Sequence, residues 1–313
     1  MSPRPAILLN NPSLKGLRRR LDEEFETVAL WDYPDAAALV QALGGSPRAM
    51  LAGGGVRRRH MEALAGLELI VSLGTGYDGI DLSLARQRNI QIANCPGVNS
   101  ADVADHAIAL MLALVKGILS GDSLVRGGGW TAANRGPANG SLKDLKVGVL
   151  GLGAIGSGVA DRLRGFGCDI AWWGPRPKDS AHRRAASLLD LARESDVLFV
   201  TLRADRTNEG VVDRAVIDAL GPRGLLINVA RGSAVDEDAL IAALTEGRLA
   251  GAGLDVFAQE PTPGERWLDV PNVVLTPHSG GNTRASLLAA VELAKANFRA
   301  FFAGQPILTP VGG

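Results

Sequence analysis

Apolar and polar positions alternate along this chain with two different periods. Short runs of aliphatic residues at 7–9, 28–30, 49–51, 69–72 and 90–92 are separated by stretches, such as 35–43 and 57–65, whose apolar positions recur every three or four residues. Compact apolar runs bounded by turn residues predict buried strands, and the wider spacing predicts helices. The same alternation resumes later, with strand-like runs at 147–150, 170–173, 197–202, 225–229, 254–256 and 273–275 and a closing helical run from 283 to about 302. Regular β-then-α order of this kind implies parallel sheets with helices on both faces.

Between the two series lies NCPGVNSADVADHAIALMLALVK, residues 94–116. Ser100 or Asn99 can cap a long helix there, and Val103, Ile108, Leu110, Met111, Leu114 and Val115 leave it little polar surface. It is predicted to be buried, between two domains, with His106 a hydrogen-bonded core residue rather than a reactive one. The stretch GGGWTAANRGPANG, residues 127–140, has no period and reads as a loop whose Trp130 needs a cover, such as a second subunit.

Composition narrows the field. A chain of 313 residues can hold two domains, and 46% apolar with 21% charged residues is ordinary for a soluble globular protein. Net charge is zero, which points to neither nucleic acid nor an anionic membrane as a partner, and the arginines at 57–59 read as a solvated helix start. No apolar run reaches the roughly 18 residues of a membrane span, and MSPRPAILLNNP lacks the pattern of a signal peptide, so a cytoplasmic protein is expected. Cys95 and Cys168 are too few and too far apart to suggest a disulfide framework, and no metal site is indicated.

The most informative stretch is VGVLGLGAIG, residues 147–156. A strand runs into Gly151, Gly153 and Gly156 in GxGxxG spacing, with Ala154 and Ile155 opening a helix and a second strand following at the distance a βαβ unit requires. The unpaired N–H groups and positive dipole end of that helix can hold a pyrophosphate. Gly151 allows the turn, Gly153 lets the backbone approach the phosphates, and Gly156 lets helix and strand pack closely. Two further glycine clusters, at 53–55 and in LGTGYDGID at 73–81, follow strands of the first half and are either ligand-facing loops or plain turns.

Three motifs follow strands of the second half: INVARGSAVDEDAL (227–240), LDVFAQEP (254–261) and LTPHSGGNT (275–283). Each carries one polar side chain, Arg231, Glu260 and His278, past a strand's carboxyl end, where open α/β sheets bind ligands. These three are what hydride transfer to a keto acid requires. Arginine grips a carboxylate through two parallel hydrogen bonds and polarises the carbonyl beside it. Histidine gives a proton to the developing alkoxide near neutral pH, and a carboxylate on its far ring nitrogen fixes the tautomer.

With GTGYDGID, PGVNSADVADHAIALML, GLGAIG, NVARGSAVDEDAL, LDVFAQEP and TPHSGG in this order, the sequence resembles the D-isomer-specific 2-hydroxyacid dehydrogenases over nearly its whole length. The resemblance implies two doubly wound α/β parallel-sheet domains, Rossmann-like and flavodoxin-like, with a cleft between them. Residues 1–98 and 283–313 would form the substrate-binding domain and 99–282 the dinucleotide-binding one, with a homodimer formed largely through the latter. It implies that Arg231 binds substrate, that His278 is the acid/base and that Glu260 is its partner. Backbone amides of Thr75 and Gly76 and the Gly53–Gly54 loop would meet the substrate carboxylate. Asp255 would hold the nicotinamide carboxamide, and Val103, Val229, Ala230 and Gly280 would lie along the cofactor. Trp130 resembles a tryptophan that glyoxylate and hydroxypyruvate reductases project into the neighbouring subunit's site; a purely structural interface role is the alternative.

Cofactor choice has its own signal. NAD-preferring Rossmann units carry an acidic residue about 20 positions after the glycines. Here AWWGPRPK puts Gly174 in that place, with Arg176 and Lys178 just beyond, so a 2′-phosphate meets attraction instead of repulsion and NADP(H) is predicted over NAD(H). Arg203 is either a second phosphate or adenine contact or an exposed side chain. The activity expected is NADPH-dependent reduction of a small 2-keto acid, glyoxylate, hydroxypyruvate or an aryl pyruvate, to the D-2-hydroxy acid. The alternatives are NAD-dependent oxidation of a D-2-hydroxy acid, a relative acting on another small acid such as phosphite or 3-phosphoglycerate, and a nucleotide-sensing corepressor-like binding protein. Spacing does not specify the substrate's side chain.

Overall fold

The computed structural model describes residues 4–143, 145–203 and 207–311. The chain divides into two compact units, one comprising the residues up to Asn99 and those from Thr283 onward, the other Ser100–Asn282. Asn99 sits with the first unit, where its side-chain oxygen accepts from Thr75 Oγ1 at 3.1 Å.

In the first unit, strands β1 (Ala6–Leu9), β2 (Glu26–Ala29), β3 (Ala49–Ala52), β4 (Leu69–Ser72) and β5 (Gln91–Ala93) form one parallel sheet in the order β2-β1-β3-β4-β5. Helices α1 (Arg18–Leu21), α2 (Ala36–Leu43), α3 (Arg58–Ala63) and α4 (Leu82–Gln87) connect them. The strands are apolar at successive positions because both faces are covered. Ile7, Leu51 and Val71 face one layer, while Leu8, Met50 and Ile70 face another that contains Leu39 of α2 and Met61 of α3. Asp35 caps α2 by accepting from Ala38 N at 2.8 Å, and Gly44 ends it in the left-handed region at φ 65°.

The second unit contains helices α5 (Ser100–Val115), α6 (Ile118–Arg126), α7 (Ala154–Arg164), α8 (Leu188–Arg193), α9 (Arg214–Leu220) and α10 (Glu237–Thr245). Its strands are β6 (Lys146–Leu150), β7 (Asp169–Trp173), β8 (Arg183–Arg184), β9 (Val197–Val200), β10 (Leu225–Asn228), β11 (Gly251–Leu254) and β12 (Val273–Leu275). They form a second parallel sheet, ordered β12-β11-β10-β9-β6-β7-β8. This is a Rossmann order, reversing direction between β6 and β9, where such sheets bind ligands. The closing helix of the chain, α11 (Arg284–Phe302), packs on the first unit's sheet through Val291, Ala294 and Phe298. A reciprocal capping box between Thr283 and Ser286 starts it.

Besides the unexpected two-residue strand β8, two elements depart from the sequence reading. The strand expected at 254–256 lies at Gly251–Leu254 instead. Its glycines are required by α5: a Cβ on Gly253 would stand 2.9 Å from Leu110 Cβ, so residues poor in strand propensity are the only ones that fit under that helix. Helix α6 was not expected at all. None of its residues is buried, and its apolar positions Ile118, Leu119 and Val125 stand more than half exposed. Among the described residues no single helix is long and apolar enough to cross a membrane.

Candidate active site

The glycine turn after β6 has the geometry its spacing predicts. Gly151 adopts φ 93°, and a Cβ there would lie 2.5 Å from the Leu202 Cα of the neighbouring loop. A Cβ on Gly156 would lie 2.1 Å from the Gly151 carbonyl oxygen, so helix and strand approach at backbone distance. Around Gly153, by contrast, nothing lies within 4 Å of where a Cβ would be. No side chain therefore crowds the backbone at Gly153, which caps α7, so a phosphate can approach that helix N-terminus. Ala154 and Ile155 open its first turn. Val103, Val229 and Ala230 are buried beside it in the apolar core of the unit, Val103 on α5 and the other two just past β10.

At the end of β7, Gly174 is buried and carries no charge, so no carboxylate competes with a phosphate at that place. Arg176 is exposed. Lys178 reaches back to the glycine turn, where Nζ donates to the Leu152 carbonyl at 2.8 Å. Its ammonium thus stands beside the phosphate-binding turn, which the sequence pattern alone did not reveal. Arg203 is exposed.

Adjacent parallel strands β10, β11 and β12 end side by side, and their loops carry the three candidate catalytic side chains. After β10, the buried Asn228 shapes the turn. It donates from Nδ2 to the Arg231 carbonyl at 2.9 Å and accepts from Ala230 N at 3.1 Å. The Arg231 guanidinium is half-buried and donates from Nη1 to the Ala230 carbonyl at 2.7 Å. Gly232 then passes against the β11 loop so closely that a Cβ would lie 1.8 Å from the Phe257 carbonyl carbon. The arginine loop is thereby locked to the loop of Glu260.

Glu260 bridges to the third loop. Its Oε1 accepts from Phe257 N at 3.1 Å and its Oε2 lies 2.7 Å from Nδ1 of His278. An ionised carboxylate only accepts, so Nδ1 carries the hydrogen and Nε2 is the atom left to exchange a proton with a ligand. The two side chains are 47% and 37% exposed, open to a ligand from outside the unit's core. His278 has φ 52°, a left-handed conformation that histidine adopts at a cost, and its N–H donates to Thr276 O at 3.0 Å.

What holds this strained turn is Asp255, whose carboxylate is almost completely buried. Oδ1 accepts from Ser279 N at 2.8 Å and from Thr276 Oγ1 at 2.6 Å, and Oδ2 accepts from Gly280 N at 2.9 Å. A hydroxyl that gives its hydrogen to Asp255 must accept at its other position, so Nε2 of His106 donates to Thr276 Oγ1 across 2.8 Å. His106 is hydrogen-bonded as expected but only partly buried, and through it α5 reaches the turn that carries His278. Sequence reasoning missed Asn228 and Thr276. A signal existed for Asn228, which ends a strand of Leu225, Leu226 and Ile227 where an amide has low strand propensity.

The candidate substrate loops lie in the first unit. The Gly53 N–H is already taken, donating to Asn10 Oδ1 at 2.9 Å, so this loop presents Gly54, at φ 83°, rather than Gly53. Among the described residues the amides of Thr75 and Gly76 have no hydrogen-bond partner, while the Thr75 hydroxyl is engaged by Asn99 Oδ1. Trp130, in the loop after α6, is 61% exposed.

Comparison with known proteins adds the following. Residues 108–280 match the family model described as D-isomer specific 2-hydroxyacid dehydrogenase, NAD binding domain. The chain is 38% identical over 308 residues to a glyoxylate/hydroxypyruvate reductase A of Arabidopsis thaliana, covering 97% of this chain and 98% of that one. Among solved structures it is similar to a 2-hydroxyacid dehydrogenase from Ketogulonicigenium vulgare, with TM-score 0.91, 42% identity and 99% of each chain covered. It is also similar to an NADPH-dependent glyoxylate/hydroxypyruvate reductase from Sinorhizobium meliloti in complex with NADP and malonate, with TM-score 0.88, 37% identity and coverage of 99% of this chain and 97% of that one.

Proposed function

The chain belongs to the D-isomer-specific 2-hydroxyacid dehydrogenase family, and from that premise we propose that it reduces a small 2-keto acid to the D-2-hydroxy acid with NADPH. Glyoxylate, hydroxypyruvate and aryl pyruvates are the candidate substrates. The observation that carries this reading is the Nδ1 to Oε2 contact of 2.7 Å between His278 and Glu260, on a turn that Asp255 holds in place. In this mechanism Arg231 grips the substrate carboxylate and polarises the keto oxygen. Nε2 of His278 gives its proton to that oxygen, and Glu260 keeps the imidazole in the one orientation that allows it. The dinucleotide, when bound at the glycine turn, supplies the hydride.

We assign dinucleotide binding to the unit of residues 100–282 and substrate binding to that of residues 1–99 with 283–313, the latter through the amides of Gly54, Thr75 and Gly76. The open surroundings of Gly153, the uncharged Gly174 and the cations Arg176 and Lys178 support NADP(H), with NAD(H) as a weaker alternative. A turnover screen of glyoxylate, hydroxypyruvate, phenylpyruvate and pyruvate with both reduced cofactors tests the reading. The expected result is turnover of at least one keto acid, with kcat/KM for NADPH about tenfold or more above that for NADH. A preference for NADH would refute the cofactor assignment, and no turnover with any of the four would refute the function.

We also propose a cytoplasmic homodimer. Ile118, Leu119 and Val125 on α6 and Trp130 just after it form an exposed apolar group on one arm of the second unit, which a second copy would cover. Replacing Trp130 with alanine is expected to weaken dimerisation in sedimentation experiments and to change the ranking of substrates. A variant with unchanged mass and unchanged ranking would remove Trp130 from both roles.

A further inference from the structure

We propose that the first unit carries a second small-molecule site, separate from the reductase chemistry, that binds an aromatic carboxylate. A sheet in the order β2-β1-β3-β4-β5 reverses direction between β1 and β3, and ligands bind in the crevice this opens past the carboxyl ends of the strands. A cavity of about 370 Å³ lies at that place. Its walls come from the segments following β1, β2 and β3, including Asn10, Trp31, Tyr33, Arg57, Arg59 and His60. The volume accommodates a single ring with a short acidic arm.

The chemistry of the walls selects the ligand. Three consecutive arginines begin α3, and the middle one is spent: Arg58 pairs with Glu62 at 2.9 Å and Asp81 at 2.6 Å. The two that line the cavity, Arg57 and Arg59, form no ion pair with a described residue. His60 lies close enough to both to respond to them, its pKa held below the ordinary value by burial, then by Arg59 and Arg57. A neutral imidazole leaves the two guanidiniums as the cations of the site. The acidic residue in the wall, Asp35, is committed to capping α2. Trp31 and Tyr33, also in the lining, each pack against an apolar layer of the unit, which restricts their movement. Asn10 is braced between Gly53 N at 2.9 Å and Gly55 O at 3.0 Å, so the β1 and β3 sides of the crevice are tied together. Two guanidiniums and two aromatic rings lining one cavity recognise a planar group bearing a carboxylate.

Phenylacetate is the probe, because it has the ring and the charge but no keto group to reduce. In the intact protein with NADPH bound, the indole N–H resonance of Trp31, identified by its loss in Trp31→Phe, is expected to shift saturably as phenylacetate is added. The Arg57→Ala/Arg59→Ala double variant should weaken that binding by about tenfold or more. Arg58→Ala should bind like the unaltered protein, and keto acid turnover by the double variant should be unchanged, which also reports that it is folded. Benzyl alcohol, with the ring and no charge, should bind about tenfold more weakly than phenylacetate. The proposal is overturned if the Trp31 resonance does not move, if the double variant binds as well as the original, or if Arg58→Ala weakens binding as much as the double change. Because the readout is binding at Trp31, a failed turnover assay would bear on the reductase reading alone.

Discussion

His278→Ala will lower kcat for keto acid reduction by about 10²- to 10⁴-fold while leaving NADPH affinity nearly unchanged. The alcohol product needs a proton on the keto oxygen as the hydride arrives, and in the proposed mechanism that donor is Nε2 of His278, whose Nδ1 lies 2.7 Å from Glu260. Alanine removes the donor and leaves the Asp255 contacts to Ser279 N and Gly280 N in place, since those are made by backbone atoms. The loop should therefore keep its shape and the loss should fall on kcat. Steady-state kinetics together with fluorescence titration of NADPH separate the two quantities. A kcat within threefold of the original would take His278 out of the mechanism. A parallel collapse of cofactor binding would make it a structural residue.

Arg231→Lys will reduce kcat/KM by about 10²- to 10³-fold, as expected when two charge-assisted hydrogen bonds are replaced by one point charge. The charge is conserved, so the effect measures the planar fork and not electrostatic attraction. Asn228 and the close passage of Gly232 under Phe257 hold the loop by main-chain atoms, and neither depends on the guanidinium. KM for the keto acid should rise with the fall in kcat, and NADPH titration should be unaffected. If lysine serves as well as arginine, the substrate's carboxylate is gripped elsewhere, and the amides of Thr75 and Gly76 become the principal anchors.

The parts of this molecule legible in the sequence are those where one residue type alone fits. Gly151 and Gly156 are dictated by backbone contacts that no Cβ could tolerate, so their spacing announced the turn before its geometry was seen. His278 and Arg231 could be picked out because each follows a strand and is the only residue of its chemistry in its motif, whereas Glu260 shares LDVFAQEP with Asp255. What could not be read was which atoms each side chain occupies. An acidic residue in LDVF is equally compatible with contacting a ligand and with bracing a turn, and the buried Asp255 carboxylate has Ser279, Gly280 and Thr276 on its two oxygens. The Gly53 amide was a candidate donor until Asn10, 43 residues earlier, was found to accept from it. Strand β11 was misplaced because its small residues answer to α5 above the sheet and not to strand propensity. Helix α6 was legible in principle, since Ile118, Leu119, Leu124 and Val125 recur at helical spacing, but its signal is short, only nine residues between Gly117 and Gly127.

The central claim is that hydride from a C4 position of NADPH reaches the keto carbon while His278 protonates the oxygen beside it. NADPH deuterated at both C4 positions, incubated with hydroxypyruvate, measures this directly. The product predicted is D-glycerate carrying one deuterium at C2, formed at a rate that falls by the same factor as kcat in His278→Ala. Product of the L configuration, or product without deuterium at C2, would contradict it.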